Sequence, residues 1–351
     1  MTFSEHETKY MRRAIALARR GLLTAHPNPM VGAVIVAPDG RIIGEGWHRR
    51  CGEGHAEVNA VASVSDADRK LLPASTMYVS LEPCAHQGRT PSCARMLTQL
   101  GIGRVVVAAG DIFAAVNGRG MAILNEGGIS TAQGLLEVEA KRLNCIFNTA
   151  QRLHRPWITL KWAQTADSIV GISGQRLAVS NAITQLLTHR LRAAHDAIIV
   201  GSGTVIADRP GLDNRLWPGP SPKPVILDRR KRLTGTDISC IRLTPEAITD
   251  SEPLADILNS LYNRGISSAL VEGGPTLLQS FIDAGLYDAI RIETSDRRAE
   301  VMTGLPADRM IKAPHLPGDI RTVAQHRHGD SNIVWLSDNP HIDATHPMTL
   351  C

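Results

Sequence analysis

The amino-acid sequence predicts a two-domain α/β protein. Strand-like apolar runs alternate with helix-patterned segments in both halves of the chain. Between the halves the polar stretch "NTAQRLHRP", residues 148–156, ends at Pro156, where continuing a helix is disfavoured. A chain of 351 residues with 43% hydrophobic content fills two cores more readily than one. The boundary is expected near residue 150, giving domains 1–150 and 151–351.

The chain opens with "MTFSEHETKYMRRAIALARRG", which reads as an amphipathic helix: apolar positions recur at helical intervals, and Ser4 and Glu7 have the spacing of a capping box. There follow the apolar stretch "MVGAVIV", a "PDG" turn, "RIIGEGW", the helical "HAEVNAVASV", the strand "TMYVSLEP", a helix from about Cys93 and the strand "RVVVAAGD". The second half restarts with "RPWITLKWA" and continues through "DAIIVGSGTVIAD", "KPVILD", "SSALVEGGPTLLQSFIDAGL" and "DAIRIET", again strand, turn and helix. The tail beyond about residue 325, rich in His and Asp, carries no readable pattern. There is no internal repeat and no low-complexity tract.

Several classes are disfavoured. No apolar run reaches the roughly eighteen residues of a membrane span, and the N-terminal charges are spread through the segment as in no secretory leader, so a cytoplasmic protein is expected. Cysteines at 51, 84, 93, 145, 240 and 351 are too scattered for a disulfide framework, and reduced thiols are the default. The net charge of +4 and an aromatic content of 4% argue against a nucleic-acid surface. The densest basic run, "DRRKR" at 228–232, reads as a solvated turn.

The stretch "LEPCAHQGRTPSC", residues 81–93, has two cysteines flanking a polar loop. A catalytic zinc needs three protein ligands and an open fourth position, and one imidazole with two thiolates leaves a bound water acidic enough to ionise. His55, Cys84 and Cys93 supply that set. Glu57, two residues from His55, is then placed to carry protons from water to a leaving amine. Both His55 and Cys93 open helices, whose N-termini are expected to lower the thiol pKa values. A closed structural clip is the alternative; it needs a fourth ligand, for which His86 is the nearby candidate.

"HAE" and "PC" match the H-x-E and P-C-x-x-C signature of zinc nucleobase deaminases, except that eight residues separate Cys84 from Cys93. The block "HAEVNA…LEPCAHQGRTPSC" resembles the deaminase domain of the bifunctional riboflavin biosynthesis deaminase/reductase family. The resemblance implies a cytidine-deaminase-like α/β/α layer, a Zn2+ cofactor and removal of an amine from a diaminopyrimidinone ribosyl phosphate. "PNPMVGAVIV" and "GEGWH" look like the family's substrate-binding segments, which implies that Asn28 and His48 contact the pyrimidine or ribose phosphate. His86 and Arg89 then suit a phosphate or base contact. The chain departs from the family at Ser92, where "RTPPC" is usual, and at "DIFA" from Asp111, where "DPNP" is usual.

In the second half, the paired glycines of "VEGGPTLLQSF" and the turn "VGSGTV" could present backbone amides to phosphate or be plain strand-to-helix turns. With "LRAAHDAIIVGSGTVIADRPGL" they resemble the family's reductase domain, which is dihydrofolate-reductase-like and uses NADPH. That resemblance implies a dinucleotide held by Ala163, Thr204, Asp208, Gly274, Pro275, Thr276, Leu277, Leu278, Gln279 and Ser280. It implies a ribosyl phosphate held by Lys161, Arg192, Leu212, Arg215 and Glu272. Departures are "TADSI" at 165–169 for "SLDGK", "RLAVS" at 176–180 for "SxWIT", with Arg176 for serine and Ala178 for tryptophan, and "IETSDRRAEVMTGLP", which lacks the usual strand exit. The implied protein is a homo-oligomeric enzyme of a small pyrimidine ribosyl phosphate, without nucleic-acid or membrane partners. The alternatives are a deaminase with a degenerate or altered reductase half, a nucleic-acid deaminase, and a structural zinc protein.

Overall fold

The computed structural model describes residues 2–85, 92–112, 118–173, 177–233, 240–243, 254–343 and 346. The chain divides into two compact units, Met1–Arg152 and Leu153–Cys351.

Helix α1 (Glu5–Ala18) starts at a capping box: Ser4 Oγ accepts from the Glu7 N–H at 3.2 Å, and Glu7 Oε2 accepts from the Ser4 N–H at 2.9 Å. There follow β1 (Gly32–Val36), β2 (Ile42–Trp47), α2 (Ala56–Ala62), β3 (Thr76–Leu81), α3 (Cys93–Leu100), β4 (Arg104–Ala109), α4 (Arg119–Glu126), β5 (Ser130–Gln133), α5 (Glu137–Leu143) and α6 (Cys145–Leu153). The sheet order is β2-β1-β3-β4-β5, with β1 antiparallel to β2 and β3 and the other pairs parallel. Continuous apolar strands such as "GAVIV" are those buried on both faces. Val34, Val36 and Val106 pack with Met11, Leu17 and Leu143 of α1 and α5, while Ile35, Val105 and Val107 pack with Ala60, Leu97 and Leu124 of α2, α3 and α4. The result is an α/β/α layer. Helix α2 lies close on β2 because residue 46 is glycine: a Cβ there would sit 2.3 Å from the Ala60 nitrogen. That approach fixes where α2 begins, and so where its N-cap, His55, stands.

The stretch expected to be a polar linker is helical to Leu153. Pro156 restricts only itself and its immediate predecessor, and Cys145, Ile146 and Ala150 give α6 a buried face.

The second unit contains β6 (Trp157–Gln164), β7 (Ile169–Ile172), α7 (Ala182–Ala193), β8 (Ala197–Gly201), α8 (Ser202–Asp208), β9 (Lys223–Leu227), β10 (Ile241–Leu243), α9 (Leu254–Asn263), β11 (Ser268–Val271), α10 (Pro275–Asp283), β12 (Ala289–Ser295), α11 (Ala299–Thr303), β13 (Met310–Lys312), β14 (Thr322–His328) and β15 (Ser331–Leu336). Its main sheet runs β10-β9-β8-β11-β6-β12-β15-β14, parallel up to β12 and antiparallel beyond; β13 pairs with β7 separately. Ile158, Leu160, Ile199 and Ile290 pack with Leu258, Leu261 and Phe281 of α9 and α10 on one face. The alternate residues Thr159, Lys161, Arg291 and Glu293 are buried on the α7 side.

One reading of this half changes and one holds. The tail beyond residue 325 is not patternless: β14 and β15 form a hairpin on the sheet, turning at Gly329 with φ +64°. The polar alternation of "QHRH" hid the strand. The basic run is a turn as expected, with residues 229–232 exposed around the buried Asp228, whose carboxylate accepts from the Arg232 and Leu233 N–H groups. Among the described residues no helix is long and apolar enough to cross a membrane.

Candidate functional site

His55, Cys84 and Cys93 converge in the first unit. His55 Nδ1 lies 3.5 Å from Cys84 Sγ and 3.3 Å from Cys93 Sγ, and the three candidate ligand atoms lie within 4.8 Å of one another. His55 is the N-cap of α2, Cys84 follows the end of β3, and Cys93 is the first residue of α3. Ser92, standing where the family usually has proline, caps that helix: its Oγ accepts from the Arg95 N–H at 3.3 Å. Zn–S bonds of about 2.3 Å and a Zn–N bond of about 2.0 Å at tetrahedral angles put sulfur and nitrogen about 3.5 Å apart, so these donors fit zinc as they stand. Both thiols are free. Among the described residues the ligand group has three members. His86, the fourth ligand of a closed clip, lies outside the described residues, as do Arg89 and Arg176.

The two thiols do not shift together. Hydrogen bonding from Cys93, with further help from His55, pulls Cys84 down to about 4. The Cys84 thiolate and burial push Cys93 up, against the lowering expected of a helix N-terminus, because two adjacent thiols share one proton before both give theirs up. Glu57 is 3% exposed, and burial, then the Cys84 thiolate, pushes its carboxyl up to about 7.

A cleft of about 330 Å³ opens on this group, lined also by Asn28, His48, Asp111, Phe147 and Gln151. His48 Nδ1 donates to the Gly54 carbonyl at 3.3 Å, so its Nε2 accepts from Asn28 Nδ2 at 3.1 Å. Burial holds His48 below its ordinary pKa, in keeping with a neutral ring.

Sequence reasoning missed three parts of this cleft. Phe147 enters it from α6, in the stretch read as a linker. Asn144 clamps the backbone of Met30, two residues beyond Asn28. Among the described residues the buried Glu82 gathers four backbone N–H groups: Oε1 accepts from Gly120 at 2.9 Å and Met121 at 3.3 Å, Oε2 from Gly118 at 3.0 Å and Asp111 at 3.4 Å. An acid directly after an apolar strand was the available signal for Glu82. Of the "DIFA" departure, Asp111 lines the cleft while residues 113–117 lie outside the described residues.

A second cleft of about 350 Å³ lies in the second unit. Of the residues expected there, Lys161, Ala163, Arg192, Thr204, Asp208, Arg215, Glu272, Gly274, Pro275 and Leu278 line it. Arg192 and Glu272 form a bidentate pair at 2.9 Å for each contact. Burial alone would raise Glu272, but Arg192 and Lys161 hold its carboxyl down at about 2. Thr204 Oγ1 accepts from the Gly274 N–H at 3.1 Å, tying the first turn of α8 to the turn after β11. Gly274 is the N-cap of α10, with Pro275 opening the helix. A helix N-terminus facing a cleft that also holds Lys161, Arg192 and Arg215 fits a phosphate-bearing dinucleotide and a phosphorylated substrate.

The other expected residues are elsewhere. Thr276 is exposed, Leu277 lies over Gly273, Gln279 bonds Asp283 and the His315 backbone, and Ser280 Oγ donates to the Thr276 carbonyl. Helical periodicity turns only 274, 275 and 278 toward the cleft. Leu212 is buried with Ile198, Val200 and Ile226 and is not among the lining residues. Ala178, at the lost tryptophan position, does line the cleft, and so do His189 and Thr188, which sequence reasoning did not single out. In "TADSI", Ser168 stands at the family's glycine position with φ +60°, beside a Thr165 Oγ1 to Asp167 Oδ1 bond of 2.6 Å.

Residues 4–109 match the cytidine and deoxycytidylate deaminase zinc-binding region, and residues 156–294 match the RibD C-terminal domain. The chain is 36% identical to riboflavin biosynthesis protein RibD of Aquifex aeolicus over 310 residues, 82% of this chain and 86% of that protein. It is 35% identical to RibD of Escherichia coli K12 over 317 residues, 80% of this chain and 85% of that one. The solved structure of Acinetobacter baumannii RibD superposes with a TM-score of 0.83 at 31% identity, covering 95% of this chain and 99% of that chain. The Thermotoga maritima diaminohydroxyphosphoribosylaminopyrimidine deaminase/5-amino-6-(5-phosphoribosylamino)uracil reductase superposes with 0.83 at 32% identity, over 95% and 98%. The first unit therefore has the cytidine-deaminase-like fold and the second the dihydrofolate-reductase-like fold.

Proposed function

This chain belongs to the RibD family of bifunctional riboflavin-biosynthesis enzymes, and from that membership we propose how its residues divide the work between two clefts. Its first half is a zinc-dependent deaminase and its second an NADPH-dependent reductase. The first cleft takes 2,5-diamino-6-(5-phosphoribosylamino)pyrimidin-4(3H)-one and hydrolyses off an amine; the second reduces the ribosyl chain of the product to ribityl.

His55, Cys84 and Cys93 would hold the zinc, which would supply the Lewis acidity that makes a water nucleophilic near neutral pH. Glu57 would take a proton from the attacking water on a carboxylate oxygen and hand it to the leaving amine, a role that its buried, upward-shifted carboxyl suits. Asn28 spends its Nδ2 on His48, which leaves Oδ1 to accept from a ring N–H. His86 and Arg89 take the phosphate or base.

The second cleft would hold NADPH, which would supply a hydride to the ribose C1′ while the C1′–O4′ bond opens and the ring oxygen takes a proton. Thr204, Asp208, Ala163 and the turn at Gly274 to Leu278 hold the dinucleotide. Lys161, Arg192 and Arg215 hold the substrate phosphate, and Glu272 fixes Arg192 and faces the sugar hydroxyls. The same reading has the enzyme working in the cytoplasm as a homo-oligomer, which sedimentation of the purified chain tests.

The observation that carries this reading is the meeting of one imidazole and two thiols at 3.3–3.5 Å beside the buried Glu57. Metal analysis of the purified chain with an ammonia assay on the pyrimidine phosphate tests it. Zinc with ammonia release supports the reading, and a zinc-loaded chain that releases none removes it. Oxidation of NADPH on deaminated substrate separates it from a degenerate reductase half.

A further inference from the structure

Two charged side chains of β12 are wholly buried behind the second cleft. Arg291 and Glu293 are both 0% exposed and, two residues apart on one strand, share a face of the sheet. Arg291 stands in register beside Lys161 of β6, and Glu293 beside Ala163. Lys161 and Ala163 both line the cleft. Helix α7 covers the pair: Thr184 Oγ1 donates to Glu293 Oε1 at 2.6 Å, and Arg291 Nη1 lies 3.5 Å from Thr188 Oγ1. Glu293 Oε2 is buried with no hydrogen-bond partner among the described residues. Buried charges seldom stabilise a fold better than apolar residues of the same size, and a half-satisfied carboxylate is worse. Packing alone therefore does not account for these two charges.

Their neighbour in the cleft is Lys161. Around it stand Glu272 at the end of β11 and Glu293 on β12, which favour the ammonium, and Arg291 on β12 and Arg192 on α7, which oppose it. His189 on α7, Asp208 on α8 and Arg215 also face the cleft, and His328 on β14 senses both buried charges from the far side. Burial acts first and draws Lys161 below its ordinary pKa, so charges one rung away decide how much of the ammonium survives.

We propose that Arg291 and Glu293 are positioning residues of the reductase half, an opposed pair of buried charges that sets the charge Lys161 presents to its phosphorylated substrate. Glu293 secures the ammonium; Arg291 keeps it from being held too firmly. The proposal rests on the reading of Lys161 as a substrate contact.

The test is the pH dependence of Lys161 carbamylation by cyanate in the full-length chain, followed by peptide mass spectrometry, since only the neutral amine reacts. At a fixed pH on the rising limb, Glu293→Gln should react about threefold or more faster than the parent chain and Arg291→Met about threefold or more slower. The pH profile of reductase kcat/KM should move in the same two directions. Rates that stay put in both variants, or move the same way, overturn the proposal. If one variant fails to fold because it strands a buried charge, the double variant Arg291→Met/Glu293→Gln, measured against the one that folds, isolates the same charge. Lys161→Met separates the two readings: retained reductase activity there refutes Lys161 as a substrate contact, whereas lost activity with unmoved carbamylation refutes only the buried pair.

Discussion

Asn144 holds Met30 through both halves of its amide: Oδ1 accepts the Met30 N–H at 2.8 Å, and Nδ2 donates to the Met30 carbonyl at 2.9 Å. A side chain 3% exposed thus does the work of a neighbouring strand for a loop 114 residues away. That loop presents Asn28 to His48. Asn144→Ala strands two buried backbone groups, and the first unit should lose about 2 kcal/mol or more. Denaturant titration reads that loss. Deaminase KM should rise while zinc content stays at the parent level, because the clamp touches the substrate wall and no metal ligand.

Ser92 ties helix capping to the metal site. Its Oγ satisfies the Arg95 N–H at the start of α3, directly before the ligand Cys93. Ser92→Ala should cost about 1 kcal/mol and quicken zinc loss to a chelator. Ser92→Pro, which restores the family's usual residue, should hold zinc as the parent chain does. Equal zinc release from Ser92→Ala and the parent would show that the cap has no hold on the ligand.

What could be read from the sequence divides by mechanism. His55, Glu57, Cys84 and Cys93 were legible together, because their joint pattern matches the H-x-E and P-C signature although each residue alone has commoner uses. Glu82 and Asn144 were not, because they act on backbone N–H and carbonyl groups that sequence spacing cannot bring together. Strands and helices with clean periodicity were readable, but α6 was hidden by its polar face and β14 by alternating polar residues. "DAIRIET" was readable as a strand, but only the covering α7 and the β14–β15 hairpin make Arg291 and Glu293 internal. Of 274–280, the helical period decided which residues reach the cleft, and a resemblance carried over residue by residue does not apply it.

Glu272 gives the second unit an acid-sensitive stability. Its carboxyl sits at about 2 when folded against an ordinary 4.5, held down by Arg192 and Lys161 against the upward push of burial. A depressed folded pKa means that the unfolded chain binds the proton first as pH falls. The stabilisation is therefore complete above about pH 4.5 and is lost as the pH drops toward about 2. Unfolding followed at Trp157, Trp162 and Trp335 between those limits should show this slope in the parent chain and a flatter one in Glu272→Gln. Parallel slopes would mean that the Arg192–Glu272 pair contributes nothing to folding.

Two buried acids in the first cleft should separate cleanly under the same substitution. Glu82 answers four backbone N–H groups, and Glu82→Gln turns an NH₂ donor toward N–H donors of the segment that carries Asp111 and opens α4. It should lower the stability of the first unit by about 1–3 kcal/mol and weaken deamination through that displaced wall, with zinc retained. Glu57 is instead a carboxylate raised by burial beside thiols, so Glu57→Gln removes a charge the fold does not favour. Its melting temperature should hold or rise, its zinc content should match the parent, and ammonia release should vanish. A Glu57→Gln chain that still deaminates, or a Glu82→Gln chain as stable as the parent, would reverse the division between the acid that moves protons and the acid that holds the wall.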